Sequence, residues 1–283
     1  MVHRPLVFVV TAIFVMMVSA SVGEALRLSD TPPLIGTSFP TTVVSRYQEL
    51  PAIAYNSDAN EYLVVWQDAR SGATDHNIYA QRVSASGELL AEEFVIDDTT
   101  GTQLPPSAVW NAIADEYLVV WTDSASTSDI YGQRLGSKGQ LIGGRFALTT
   151  ADDDQMGPIA AWNATANEYL VVWSDFRNNA AERTSDIYGR RLGADGRAIG
   201  SEFAIVQAEG LQSPTGLTWN VMEQEFLLVW QDSRAAWPYG TGRRLTSSGL
   251  GAGPEFAMSV TSSIQDGPSG LTVKWPTTLV PPP

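Results

Sequence analysis

Apolar residues in this chain come in short runs, and the runs return in a fixed order. The clearest run is Glu61-Tyr-Leu-Val-Val-Trp66-Gln-Asp68. It returns as Glu116-Tyr-Leu-Val-Val-Trp121-Thr-Asp123, as Glu168-Tyr-Leu-Val-Val-Trp173-Ser-Asp175 and as Glu225-Phe-Leu-Leu-Val-Trp230-Gln-Asp232. Each copy is preceded by a segment ending in an aromatic and Asn: Tyr55-Asn56, Trp110-Asn111, Trp162-Asn163 and Trp219-Asn220. A third segment follows, with Arg82, Arg134, Arg191 and Arg244 near its end. A fourth is built on Phe94, Phe146, Phe203 and Phe256. The segments are short and rich in Val, Ile, Tyr, Trp and Phe, which predicts β-strands. No long stretch carries a 3.6-residue period. Each repeat therefore reads as four strands, A to D in chain order.

Turn residues punctuate the strands. Asn56, Asn111, Asn163 and Asn220 mark the A–B turns, where Asn bonds its own backbone. Gly87, Gly139, Gly196 and Gly249 mark the C–D turns, where a tight reversal needs positive φ. Strand B is apolar at successive positions, so both of its faces must be covered. With no helices to cover them, neighbouring sheets must, and a β-propeller arranges its blades in that way. The expected fold is all-β: a propeller of four full four-stranded blades, at about 48–102, 103–154, 155–211 and 212–264, within a repeat region of 37–275. Ser38–Val44 matches strand D and Gly267–Trp275 matches strand A. The two would form a partial fifth repeat, with a tail at 276–283. Either four blades close the ring with these strands at the seam, or the chain is a truncated member of a longer array.

Residues 1–25 carry Arg4, an apolar run from Leu6 to Val18, and small residues at Ala20 and Ala25. This is the pattern of a secretory signal peptide, followed by a linker at 26–36. The run is shorter than the ~20 residues that span a bilayer as a helix. The expected location is extracellular, periplasmic or at the cell surface, with no membrane association after cleavage.

The net charge of −14 argues against nucleic acid, which requires a basic surface. The chain has no cysteine and two histidines, His3 and His76. That excludes thiolate chemistry, Cys-bound zinc and a multi-His metal site.

The repeats, Tyr-Leu-Val-Val-Trp-x-Asp-x-Arg followed by Asp-Ile-Tyr-Gly-x-Arg-Leu, resemble those of large secreted bacterial proteins of propeller type, over about residues 35–275. The resemblance implies fold and export and no particular activity. The blade count is similar to that of hemopexin-like propellers, but their motifs are absent.

The recurring Asp68, Asp123, Asp175 and Asp232 have two readings. They are either ligand-binding groups, one per blade, or structural partners of Arg. Arg70, Arg177 and Arg234 follow two residues later, and Ala125 replaces the Arg in the second repeat. Charged groups near a packed blade need such partners, and a catalytic group rarely recurs in every repeat. Trp66, Trp121, Trp173 and Trp230, with the four strand-C arginines, are expected to be structural. Trp237 and Tyr239 occur only in the fourth repeat, where a loop aromatic suits a ligand contact. Asp129 and Asp186 are weak candidates for a calcium site; no calcium-binding loop motif accompanies them, and no other cofactor is expected. The expected function is a non-catalytic binding or scaffold module for a glycan or a protein. The alternatives are a carbohydrate-active hydrolase, which needs a dedicated pair of carboxylates, and a structural piece of a larger surface protein.

Overall fold

In a computed structural model, the structure describes residues 47–72, 75–125, 127–178, 184–234 and 239–258; of Tyr239 it describes the backbone alone. The signal segment, the linker, Trp237 and both terminal strands expected from the repeat lie outside these residues. Among the described residues there is no helix, and the strands form four antiparallel sheets. The protein is a β-propeller with four blades described.

Blade 1 contains β1 (Gln48–Asn56), β2 (Glu61–Gly72), β3 (Asp75–Ser84) and β4 (Leu89–Asp97) in consecutive order. Blade 2 has its A strand in two pieces, β5 (Thr102–Gln103) and β6 (Ser107–Asn111). Both pair with β7 (Glu116–Ser124), which leads to β8 (Ser128–Gly136) and β9 (Leu141–Thr149). Blade 3 is β10 (Gln155–Asn163), β11 (Glu168–Asp175), β12 (Asp186–Gly193) and β13 (Ala198–Val206). Blade 4 is β14 (Gln212–Asn220), β15 (Glu225–Asp232), β16 (Tyr239–Thr246) and β17 (Phe256–Ala257).

The turns have the expected chemistry. Asn56 Oδ1 accepts from the N–H groups of Asp58 and Ala59 at 3.0 and 2.9 Å, and Asn111, Asn163 and Asn220 repeat this. Gly87, Gly139, Gly196 and Gly249 all have positive φ, from 80° to 87°.

The side chains of strand B alternate between two packing faces. One face of each blade looks forward and presents Leu63 and Val65, or their equivalents. The other looks back and presents Tyr62, Val64 and Trp66, or theirs. Three hydrophobic clusters join successive blades by setting a forward face on a backward one. Leu63 and Val65 meet Tyr117, Val119 and Trp121. Leu118 and Val120 meet Tyr169, Val171 and Trp173. Leu170 and Val172 meet Phe226, Leu228 and Trp230. β7 and β11 are covered on both faces by neighbouring blades, and β2 is buried on both faces although no described blade packs behind it. β15 differs: Phe226, Leu228 and Trp230 are buried, whereas Leu227 and Val229 are half-buried. The reason is that no described blade packs on the forward face of blade 4.

Successive blades also lock at their rims. A Cβ on Gly139 would stand 2.6 Å from the Phe94 ring, one on Gly196 3.0 Å from Phe146, and one on Gly249 2.5 Å from Phe203. The C–D turns of blades 2, 3 and 4 thus each close over the strand-D Phe of the blade before, an approach that only glycine permits.

Candidate binding site at the propeller axis

The A strands of all four blades line one cavity of about 520 Å³. Tyr55, Trp110, Trp162 and Trp219 each contribute to its wall, one per blade, together with smaller residues such as Ile53, Val109, Ala160 and Leu217. Ser57 and Ala164, from A–B turns, also line it and place its mouth at that end of the blades. Among the described residues the lining contains no Asp, Glu, His, Lys or Arg. The volume lies within the roughly 300–1,000 Å³ typical of small-molecule sites, which are also mostly apolar.

Each wall aromatic is held by its own blade. Tyr55 lies against Tyr62 with ring centroids 5.2 Å apart, Trp110 against Tyr117 at 4.6 Å and Trp219 against Phe226 at 4.7 Å. The Trp162 indole N–H donates to Asn167 Oδ1 at 3.2 Å. The degree of exposure differs: Tyr55 is 46% exposed and Trp110 only 6%. Tyr55 is therefore the wall aromatic most open to a ligand.

The recurring aspartates are elsewhere. Asp68, Asp123, Asp175 and Asp232 are buried at the far end of strand B, and none lines the cavity. Asp68 accepts from the Trp66 indole N–H at 2.9 Å and from the Arg70 backbone and guanidinium. Asp175 repeats this with Trp173 and Arg177, and Asp232 with Trp230 and Arg234. Burial alone would raise the Asp68 carboxyl; the hydrogen bonds from Arg70 and Trp66 outweigh it and hold the group below the usual carboxylate range. Asp232 is lowered in the same way by Arg234 and Trp230. These carboxylates have the bonding of structural anchors.

Blade 2 solves the loss of Arg at position 125 differently. In blades 1, 3 and 4 the Arg also pairs with a strand-D glutamate: Arg70 with Glu93, Arg177 with Glu202 and Arg234 with Glu255. In blade 2 that strand-D position is Arg145, which reaches Asp123 at 2.6 Å. The guanidinium returns to the same place from the other strand. It lies 4.2 Å from the Tyr131 ring centre, as Arg70 lies 3.8 Å from Tyr79 and Arg177 4.4 Å from Tyr188. Arg145 also bonds Asp97 and Thr99 of blade 1. The substitute geometry leaves the Trp121 indole N–H and Asp123 Oδ1 buried without hydrogen-bond partners among the described residues.

The strand-C arginines pair with the glutamate that opens strand B: Arg82 with Glu61 at 2.6 Å, Arg134 with Glu116 at 2.6 Å, Arg191 with Glu168 at 2.5 Å and Arg244 with Glu225 at 3.2 Å. Among the candidate cation ligands, Asp186 accepts from Asn178 and from the Ala208 N–H. Burial, then the charges of Asp123 and Asp154, raise the Asp129 carboxyl. Among the described residues no group of three or more His, Asp or Glu side chains is arranged to hold a metal ion. Of the fourth-repeat loop aromatics, Tyr239 opens β16 opposite Asp232, and Trp237 lies outside the described residues.

Two features were missed by the sequence reading. One is the set of glutamines that open strand A: Gln48, Gln103, Gln155 and Gln212, all buried. Gln103 donates to Thr99 O, Gln155 to Asp152 O and Asp153 O, and Gln212 to Glu209 O, tying down each D–A connection. The signal was in the repeat: each stands nine residues after the strand-D Phe (94 and 103, 146 and 155, 203 and 212). The other is the shared cavity. The aromatic before each Asn was visible as a repeat, but its convergence on one axis was not.

No protein-family model matches the chain, and no curated protein matches its sequence. Solved structures do resemble it. A protein of unknown function from Dyadobacter fermentans aligns over 76% of this chain and 70% of its own, with 8% identity and a TM-score of 0.57. A sialidase of Hadza microbial origin aligns over 72% of this chain and 45% of its own, with 9% identity and a TM-score of 0.52. The arabinanase Arb43A of Bacillus subtilis aligns over 72% and 75%, with 14% identity and a TM-score of 0.46. At such identities the likeness to the first two bears on the fold alone and says nothing about activity.

Proposed function

We propose that this chain is an exported, non-catalytic binding module that holds a glycan, or an exposed segment of a surface protein, in the axial cavity. The observation that carries this reading is the cavity wall: one aromatic from each described blade and, among the described residues, no ionisable side chain other than Tyr55. Flat aromatic faces with a polar edge suit a ligand that is itself part apolar and part hydroxylated. Glycoside hydrolysis needs an acid and a second carboxylate on either side of the scissile bond, and the described residues of the wall offer neither. The recurring aspartates are already bonded to Arg and, in three blades, to Trp.

The test is titration of residues 26–283 with a panel of soluble glycans, read by tryptophan fluorescence and calorimetry. Tyr55→Ala is the diagnostic variant, because Tyr55 is the most exposed wall aromatic. Loss of one such contact is worth about 1–1.5 kcal/mol, or roughly tenfold in Kd. Binding that ignores Tyr55→Ala would place the ligand elsewhere. Release of reducing ends from any glycan in the panel, lost on replacing one carboxylate, would establish the hydrolase instead.

A further inference from the structure

The forward face of blade 4 is built like the other three, and among the described residues no blade covers it. Leu63, Leu118 and Leu170 are buried, as are Val65, Val120 and Val172, whereas Leu227 and Val229 are half-buried. Asn56, Asn111 and Asn163 are buried, whereas Asn220 is exposed. Gln67, Thr122 and Ser174 are buried, whereas Gln231 is exposed. Phe94, Phe146 and Phe203 each lie under a glycine turn of the next blade, whereas Phe256 is 43% exposed. These positions all belong to one face, the one on which blades 1, 2 and 3 each carry their successor.

The chain itself supplies a matching segment. Gln265 stands nine residues after Phe256, the spacing that opens strand A in blades 2, 3 and 4. Pro268-Ser-Gly-Leu-Thr272 then repeats Pro214-Thr-Gly-Leu-Thr218 of β14, with one substitution. From that point apolar and polar residues alternate: Leu271, Val273 and Trp275 on one side of a strand, Thr272 and Lys274 on the other. Such alternation suits a strand with one face covered and one in water. In blade 4 the matching residues Leu217 and Trp219 pack into the cluster that holds Leu170 and Val172.

We propose that residues 265–275 dock on the forward face of blade 4 as strand A of a fifth blade, with Leu271 and Val273 against Leu227 and Val229. This inference rests on the packing of the blades and stands independently of any ligand.

The chain has no cysteine, so pairs of thiols can be introduced cleanly. Val229→Cys with Leu271→Cys is treated with a short thiol–thiol cross-linker in the full-length protein. Val172→Cys with Leu217→Cys, at the equivalent positions between blades 3 and 4, is the positive control. Val229→Cys with Thr272→Cys probes the opposite side of the strand. Mass mapping should find a 229–271 link within the monomer, at a yield near that of the control and at least fivefold above the 229–272 pair. A control that links while 229–271 does not, equal yields for 271 and 272, or a link found only between two chains would each overturn the proposal. A cysteine-free measurement backs it: ending the chain at residue 258 should raise the binding of a hydrophobic dye and lower Tm. No change in either would also count against docking.

Discussion

Arg145 is the residue whose replacement tests the blade architecture most directly. It holds two carboxylates that are almost fully buried, Asp97 and Asp123, at 2.9 and 2.6 Å, and donates to Thr99 Oγ1 at 2.8 Å. Arg145→Glu removes the only cation bonded to Asp123 among the described residues and sets a third carboxylate beside the two. Breaking a buried pair leaves uncompensated charge and costs about 3–5 kcal/mol; with the Arg145 side chain 29% exposed, about 3 kcal/mol is the better figure. For a chain of this size that lowers Tm by about 6–12 °C. The informative step is rescue. Ala125→Arg in the Arg145→Glu background recreates the arrangement of Asp68, Arg70 and Glu93, and position 125 is exposed, so an arginine has room there. It should recover more than half of the loss, and adding Asp97→Thr, the residue found at the equivalent Thr149, should recover more. Melting curves of the single, double and triple variants give the coupling directly. An Arg145→Glu protein that melts within 2 °C of the parent, or one that Ala125→Arg does not restabilise, would refute the reasoning that the guanidinium's place in the blade matters and its strand of origin does not.

Three further outcomes follow from the same structure. Gly139→Ala combines positive φ with a Cβ set against the Phe94 ring, whereas Gly143→Ala has positive φ and open space; the first should cost about 2–3 kcal/mol and the second about 1, and equal losses in thermal melts would remove the interblade contact from the account. Burial pushes the hydroxyls of Tyr117 and Tyr169 up to about 12. The unfolded chain ionises these groups near pH 10 and the folded one does not, so stability is full below pH 10 and falls as pH rises to about 12, by on the order of 2 kcal/mol per tyrosine. Denaturant melts across that range should lose most of this slope in Tyr117→Phe/Tyr169→Phe, a change that Phe226 already makes in blade 4. Asp129 is raised, so the folded state disfavours its charge and Asp129→Asn should raise Tm at pH 7 and not at pH 3; a gain of the same size at both would show that charge is not the cause.

Much of this protein was legible in the sequence because the repeat is nearly periodic. Four copies of one pattern fixed the strand count, the Asn and Gly turns, and the need to cover strand B on both faces, since local rules govern each. The pairing of Asp with Arg was also readable, because the two are neighbours on one strand. The partners across strands were not. Glu61 and Arg82 are 21 residues apart, and only the antiparallel register of β2 and β3, which sets Leu63 opposite Arg82, brings their side chains together. The exchange of Ala125 for Arg145 looked like decay of a motif; it is the same charge position reached from strand D instead of the end of strand B, across the intervening β8. Above all, the sequence showed four equivalent aromatics but could not show that they meet. Convergence on one axis is a property of how whole blades stack, set by the forward and backward faces of strand B, and no single repeat contains it.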